Sequence, residues 1–272
     1  MTAGDIIVIR GSAAGRRGNY FDGTDDYVLH DAHAVARVAA NDTVGTYSAW
    51  IFLDDISSQQ KTILSAGDND SATEYLQFYT LSGKLFAKLY HGGAIQWRID
   101  QTTTSMVANK WYHVAVVQNG TQPVLYIDGI APAQTATTST DLTMWYDELT
   151  GGDKFAIGIL ESNNTHTTDF FGMICQVRYW NKALTASQIL TDSNGATADP
   201  AVTAALKLDL PLATDMLDDS GEGDTGSLTG QAYLCGWGSE WSRGIELHAV
   251  VADDLQTTEY PGGSMTTILK AA

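Results

Sequence analysis

Basic side chains are scarce in this sequence. Only 15 Lys and Arg oppose 32 Asp and Glu, a formal charge of −17 over 272 residues. Phosphate affinity needs clustered cations, so nucleic acid is excluded as a general partner. The same charge opposes attachment to anionic membranes. Long apolar runs are missing too. Nothing approaches the roughly 18 residues of a membrane span, and Ile6-Ile7-Val8-Ile9 stops at Arg10, so no membrane insertion is expected. The start, Met1-Thr2-Ala3-Gly4-Asp5, lacks the basic-then-apolar pattern of a secretion signal. Cysteine is limited to Cys175 and Cys235, too few for a disulfide framework or a zinc site. Two buried thiols is the reading we favour; a bridge between them stays open. Hydrophobic residues at 44% rule out a disordered chain.

Glycine, by contrast, is plentiful at 26 residues. Short alternating runs are separated by Gly, Asn, Asp and Ser clusters, the pattern of an all-β sandwich. Strands are expected at Thr46–Leu53, Tyr75–Thr80 and Lys84–Tyr90, the last two joined by Leu81-Ser82-Gly83. Leu85, Ala87 and Leu89 share one face of their strand, Lys84 and Lys88 the other. Trp111–Val117 and Pro123–Gly129 form a second hairpin around Asn119-Gly120. Further strands are expected at Lys154–Leu160 and Phe170–Trp180. One short helix is marked by a capping box, Thr185 with Gln188, stapled by Leu184 and Ile189.

Charge is unevenly spread. Residues 1–17 carry Arg10, Arg16 and Arg17 against Asp5 alone. Residues 191–272 carry thirteen carboxylates against Lys207, Arg243 and Lys270, a net of −10. This suggests an N-terminal arm over 1–17, a sandwich over 18–195 and a C-terminal extension over 196–272. The extension would dock on the sandwich or on a partner. Oppositely charged ends of neighbouring copies could pair, so a homo-oligomer is expected, with Arg10, Arg16, Arg17, Trp237 and Trp241 as anchoring residues.

Catalytic signatures are absent. Glycosidases need two carboxylates about 5–10 Å apart, and no alternating Glu/Asp pattern on a strand supplies them. No nucleotide fingerprint occurs. We therefore expect no enzyme. His30-x-x-His33 is two ligands at most, short of a metal site. Calcium is the better metal candidate, since it takes six to eight oxygens from loops. Asp68-Asn69-Asp70, and Glu161 and Asn163 with Asp169, have that oxygen content.

Several runs resemble a known family in its order. Tyr20-Phe21-Asp22-Gly23-Thr24-Asp25-Asp26-Tyr27-Val28 comes first, then Tyr47-Ser48-Ala49-Trp50-Ile51. Trp111-Tyr112-His113-Val114 follows, with Leu125-Tyr126-Ile127-Asp128-Gly129. Phe171-Gly172 through Val177-Arg178-Tyr179-Trp180-Asn181-Lys182-Ala183-Leu184-Thr185 closes the series. Together they look like the laminin-G-like, pentraxin-like branch of the concanavalin A-like lectin jelly rolls, over roughly residues 18–192. The resemblance implies a two-sheet jelly-roll sandwich with one short helix and, here, a C-terminal appendage. It also implies calcium at a sandwich edge and a glycan as ligand. Trp97, Trp145 and Tyr146 are candidates for the aromatic platform such binding needs. One departure stands out: Leu206–Leu212 and Asp219–Leu228 resemble a segment that relatives carry before the first motif. Here it comes after the sandwich.

An extracellular-type fold without a secretion signal suggests a virion surface subunit, assembled in a host cytoplasm with other virion proteins. It would be a capsid decoration, fibre or spike protein that meets cell-surface glycans. The alternatives are an extracellular carbohydrate-binding adhesion module and a glycoside hydrolase.

Overall fold

The structure is a computed structural model that describes residues 17–195, 200–212, 216–222, 226–229 and 233–236, without the side chains of 17, 200 and 233–236. These residues belong to one compact unit, Arg16–Gly236. Its strands in chain order are β1 (Arg17–Asp22), β2 (Tyr27–Leu29), β3 (Gly45–Leu53), β4 (Lys61–Asp68), β5 (Ser71–Leu81), β6 (Lys84–His91), β7 (Ala94–Gln101), β8 (Trp111–Gln118) and β9 (Val124–Ile127). There follow β10 (Gln134–Ser139), β11 (Lys154–Ile157), β12 (Leu160–Ser162), β13 (Thr165–Thr167), β14 (Phe171–Trp180), β15 (Leu206–Leu210), β16 (Ser227–Thr229) and β17 (Tyr233–Gly236). The helices are α1 (Asp31–Ala40), α2 (Ala186–Ser193) and the single turn α3 (Pro200–Thr203).

Two antiparallel sheets make a jelly-roll sandwich. One has seven strands in the order β17-β1-β14-β3-β8-β9, with β15 also on β14. The other has eight, in the order β10-β7-β6-β5-β4-β11-β2-β16. Alternation drives this arrangement. Tyr47, Ala49, Ile51 and Leu53 of β3 and Leu76 and Phe78 of β5 point into one shared core, with Trp97, Trp145 and Phe155. A smaller apolar cluster, including Trp180, Leu184, Ile189 and Val202, seats α2 and α3.

The β5–β6 turn forms as its residues dictate. Ser82 and Gly83 both take positive φ, 52° and 68°, the two-residue geometry that matches strand twist. Gly172 is equally constrained. Its φ is 137°, and a Cβ there would strike the Phe52 carbonyl on the neighbouring β3. Capping of α2 follows the sequence: Thr185 Oγ1 accepts from Gln188 N, and the Gln188 side chain accepts from Thr185 N. α1 was not expected. Its buried residues are His33, Ala34 and Arg37, so two polar residues occupy the core face and blur the apolar period on which helix recognition depends.

The strands after residue 195 belong to the sheets. β14 has a second edge shared by two partners. β1 pairs with Asp22 through Asn19 against Phe171–Ile174, and β15 pairs with Leu206–Leu210 against Val177–Trp180. β16 extends the other sheet from β2, and β17 pairs with β1. In that last pairing Gly18 lies opposite Cys235, and a Cβ on Gly18 would meet the Cys175 Cβ at 3.2 Å. Strand β1 therefore runs between the two cysteines. Two strand spacings are roughly 9.5 Å, more than the roughly 7 Å Cα separation a disulfide spans.

Candidate ligand-binding face

Strands β5, β6 and β7 alternate in phase. Leu76, Phe78, Leu85, Ala87, Leu89, Trp97 and Ile99 enter the core. The intervening residues lie on the outer face of the eight-stranded sheet. Register then makes rungs across that face: Tyr75 opposite Tyr90, Gln77 opposite Lys88, and Tyr79 opposite Phe86. One strand further, Lys88 lies opposite Arg98 and Phe86 opposite Asp100.

The rings pair face to face. Tyr75 and Tyr90 stack at 5.2 Å and 13°, Tyr79 and Phe86 at 5.2 Å and 12°. Between these rungs the Lys88 ammonium lies 5.2 Å from the Tyr75 ring centre and 5.7 Å from that of Tyr79. The Arg98 guanidinium lies 5.3 Å over Phe86, and its Nε donates to Asp100 Oδ1 at 2.6 Å. Gln77 is anchored by donation to Thr62 Oγ1 at 2.7 Å. At the rim His91 and Glu74 approach to 3.6 Å.

The electrostatics are unusual for an outer sheet face. Burial pushes the Tyr79 phenol up to about 12, with Arg98 opposing that shift. Burial, then the Arg98 charge, holds the Lys88 ammonium below its ordinary value. Like charges directly opposite each other on a sheet are unfavourable. The Tyr79 hydroxyl is shielded and has no hydrogen-bond partner among the described residues, a cost of about 1–3 kcal/mol. Stacked rings beside fixed donors suit the apolar faces and hydroxyls of a sugar.

A second cluster sits where β1 meets β2. Asp22, Asp25 and Asp26 bring their carboxylate oxygens within 4.8 Å of one another. Asp26 accepts from Asp22 N at 2.8 Å, and Asp22 accepts from Thr24 N at 2.8 Å. Burial raises the Asp169 carboxyl, and the Asp22 and Asp25 charges raise it further.

The six oxygen-bearing residues expected for calcium do not form one shell. Asp169 faces the Asp22 corner. Asp68 and Asn163 do meet: Asn163 N donates to the Asp68 carbonyl at 2.9 Å. Asp68 Oδ1 is engaged by Asp70 N at 2.7 Å, and Asn69 N turns to Asp153 at 2.9 Å. Glu161 lies on the same β12–β13 hairpin as Asn163. Its Oε1 contacts His166 at 3.4 Å, while its Oε2 is buried without a partner. Among the described residues the acidic, His or Cys ligands that converge as a group of three are Asp22, Asp25 and Asp26, and neither Glu161 nor Asp68 joins such a group.

The three aromatics expected as a platform are core residues instead. Trp97 and Trp145 are 0% exposed and Tyr146 is 1% exposed, so none offers a ring face to a ligand. The Trp97 indole donates to the Met144 carbonyl at 3.0 Å and that of Trp145 to Tyr179 Oη at 3.2 Å. Tyr146 shares a hydroxyl contact with Tyr47, which in turn meets His33 Nε2 at 2.8 Å. His30 and His33 are buried beside them, and among the described residues they join no group of three metal-ligating side chains. Burial, and then the Arg37 charge, holds the His33 pKa well below its usual value. Of the expected anchoring residues, Arg10, Arg16, Trp237, Trp241 and the Arg17 side chain lie outside the described residues.

Tyr75, Tyr79, Phe86, Tyr90 and Arg98 were missed from sequence. A signal was present: aromatics in phase with Lys84, Lys88 and Gln77, on the polar side of the alternation, mark an outer face that is not merely solvated.

Two sheets with this order and an aromatic outer face define a lectin-like jelly roll. Residues 22–190 match the family described as the Concanavalin A-like lectin/glucanases superfamily, in its laminin G form, and the chain belongs to that family. Among solved structures it is similar to the Ruminococcus gnavus IT-sialidase CBM40 bound to alpha2,3 sialyllactose. That match has 15% identity and a TM-score of 0.53, covering 67% of this chain and 100% of the other. The heptameric SAP-like pentraxin of Limulus polyphemus matches at 14% identity and a TM-score of 0.53, over 80% of this chain and 94% of the other. The leech intramolecular trans-sialidase matches at 16% identity and a TM-score of 0.52, over 72% of this chain and 29% of the other. At such identities the likeness is one of fold. No curated protein sequence matches the chain.

Proposed function

We propose that this chain is a non-catalytic carbohydrate-binding protein that takes its ligand on the outer face of the eight-stranded sheet. The observation that carries this reading is the half-buried Tyr75–Tyr90 stack beside Lys88, in a chain of the lectin superfamily. The similarity in fold to a carbohydrate-binding module solved with a sialylated sugar supports binding. Turnover is disfavoured because the face's carboxylate Asp100 is held by the Arg98 guanidinium. An acid/base pair needs both groups facing substrate. A glycan array followed by titration calorimetry tests the reading. Tyr75→Ala with Tyr90→Ala should weaken binding at least tenfold, about 1.4 kcal/mol, while the variant still unfolds in one cooperative transition. No binding across neutral and acidic glycans would refute it.

For its setting we propose the surface of a particle, as a self-associating subunit among other virion proteins. The support is the sequence's charge polarity: a basic first 17 residues, and −10 of the −17 after residue 190. Mass spectrometry of purified particles should find the chain, and chains lacking residues 1–17 or 231–272 should not incorporate. Normal incorporation of both truncations would defeat this role for the termini.

A further inference from the structure

The outer face of β5, β6 and β7 holds more hydrogen-bond donors than acceptors. Lys88 lies directly opposite Arg98. The Lys88 ammonium makes no ion pair or hydrogen bond among the described residues; it rests over the rings of Tyr75 and Tyr79. Arg98 uses only its Nε, for Asp100, which leaves both terminal nitrogens of the guanidinium unengaged. Two cations thus lie side by side on the face, and among the described residues Asp100 is the one carboxylate that either engages. Contact with a ring quadrupole is a weak substitute for an anion, and a charge-assisted bond to an oxyanion is far stronger.

We propose that this face is built for an acidic sugar, whose carboxylate is received between Lys88 and Arg98. The inference rests on the glycan-binding reading of the same face and names its substrate class. The sugar ring lies against Tyr75 and Tyr90, the stacked rung next to Lys88. A neutral sugar would satisfy the rings but leave the two cations facing each other. Because the chain as a whole carries −17, attraction of an anion must come from these local donors rather than from the overall field.

Titration calorimetry on the full chain tests this with matched probes: alpha2,3 sialyllactose against lactose, and trigalacturonate against galactotriose. At least one acid should bind tenfold or more tighter than its neutral parent. Lys88→Gln with Arg98→Gln should abolish that preference. Neutral parents that bind as tightly as the acids would overturn the acidic-sugar inference and leave the glycan-binding reading standing. Failure of every probe, acidic and neutral, would overturn both.

Discussion

Asp192 is buried on the outer side of the seven-stranded sheet and holds four elements together. Its Oδ2 accepts from Ser48 Oγ at 2.7 Å and contacts His113 Nε2 at 3.0 Å, while its Oδ1 accepts from Arg178 at 2.8 Å. Arg178 continues to Asp209 on β15 at 2.9 Å. Burial alone would raise the Asp192 carboxyl, yet His113, Arg178 and Ser48 outweigh it and hold the group below the usual carboxylate range. A carboxyl with a depressed folded value contributes stability in full above its unfolded value of roughly 3.9. That contribution is lost as pH falls through the folded value. Asp192→Asn should therefore cost about 3–5 kcal/mol at pH 7, because it strands Arg178 and His113. Urea unfolding at several pH values should show the difference shrinking as pH falls below the usual carboxylate range. A pH-independent difference would show that packing, not charge, is what Asn disturbs. Residues such as Asp192 could not be singled out from the sequence. Ser48, His113, Arg178 and Asp209 are scattered along the chain, and only register brings them to one carboxylate.

At the scale of elements, legibility followed local chemistry. The Thr185–Gln188 capping box and the Ser82-Gly83 turn are decided by residues within a few positions, and both form as their chemistry requires. α1 escaped because its packing face carries His33 and Arg37, whose burial depends on distant partners. Arg37 reaches Asp42 at 3.4 Å and Glu222 at 3.9 Å. The Phe171-Gly172 motif was recognisable, but its reason is tertiary: β3 runs so close that the Phe52 carbonyl occupies the site of a Cβ. Gly172→Ala combines that clash with a φ that L residues rarely adopt, and should cost about 3 kcal/mol. Thermal unfolding measures it. A loss under about 0.5 kcal/mol, the usual effect of a neutral surface change, would mean that β14 can shift away from β3.

Across the whole molecule, the C-terminal strands complete sheets that the earlier strands leave open. β15 covers the half of β14 that β1 does not reach, and Leu208, Leu210 and Leu212 are fully buried in the main core. A chain ended at residue 195 should therefore lose its cooperative thermal transition and expose apolar surface to a dye such as ANS. A sharp transition in that truncated chain would show instead that residues 18–195 fold alone. The charge map gains meaning at this scale too. Asp209 and Glu222, both counted within the acidic −10, are paired with Arg178, Lys207 and Arg37. Part of that acidity is internal mortar, and the remainder is what a partner would meet.

The sequence by itself determined the all-β class, the family, the short helix α2 and the two faces of each strand. Those features arise from turn residues, caps and a period of two, which act over a few positions. Tertiary structure decided which aromatics are walls and which are surface. Trp97 and Tyr75 both stand in alternating strands, and only the direction of the second sheet makes the first a core residue and the second part of a binding face. It also decided that Lys88 meets Arg98. Cross-strand pairing sets that encounter, and pairing is a property of the folded sheet rather than of either strand.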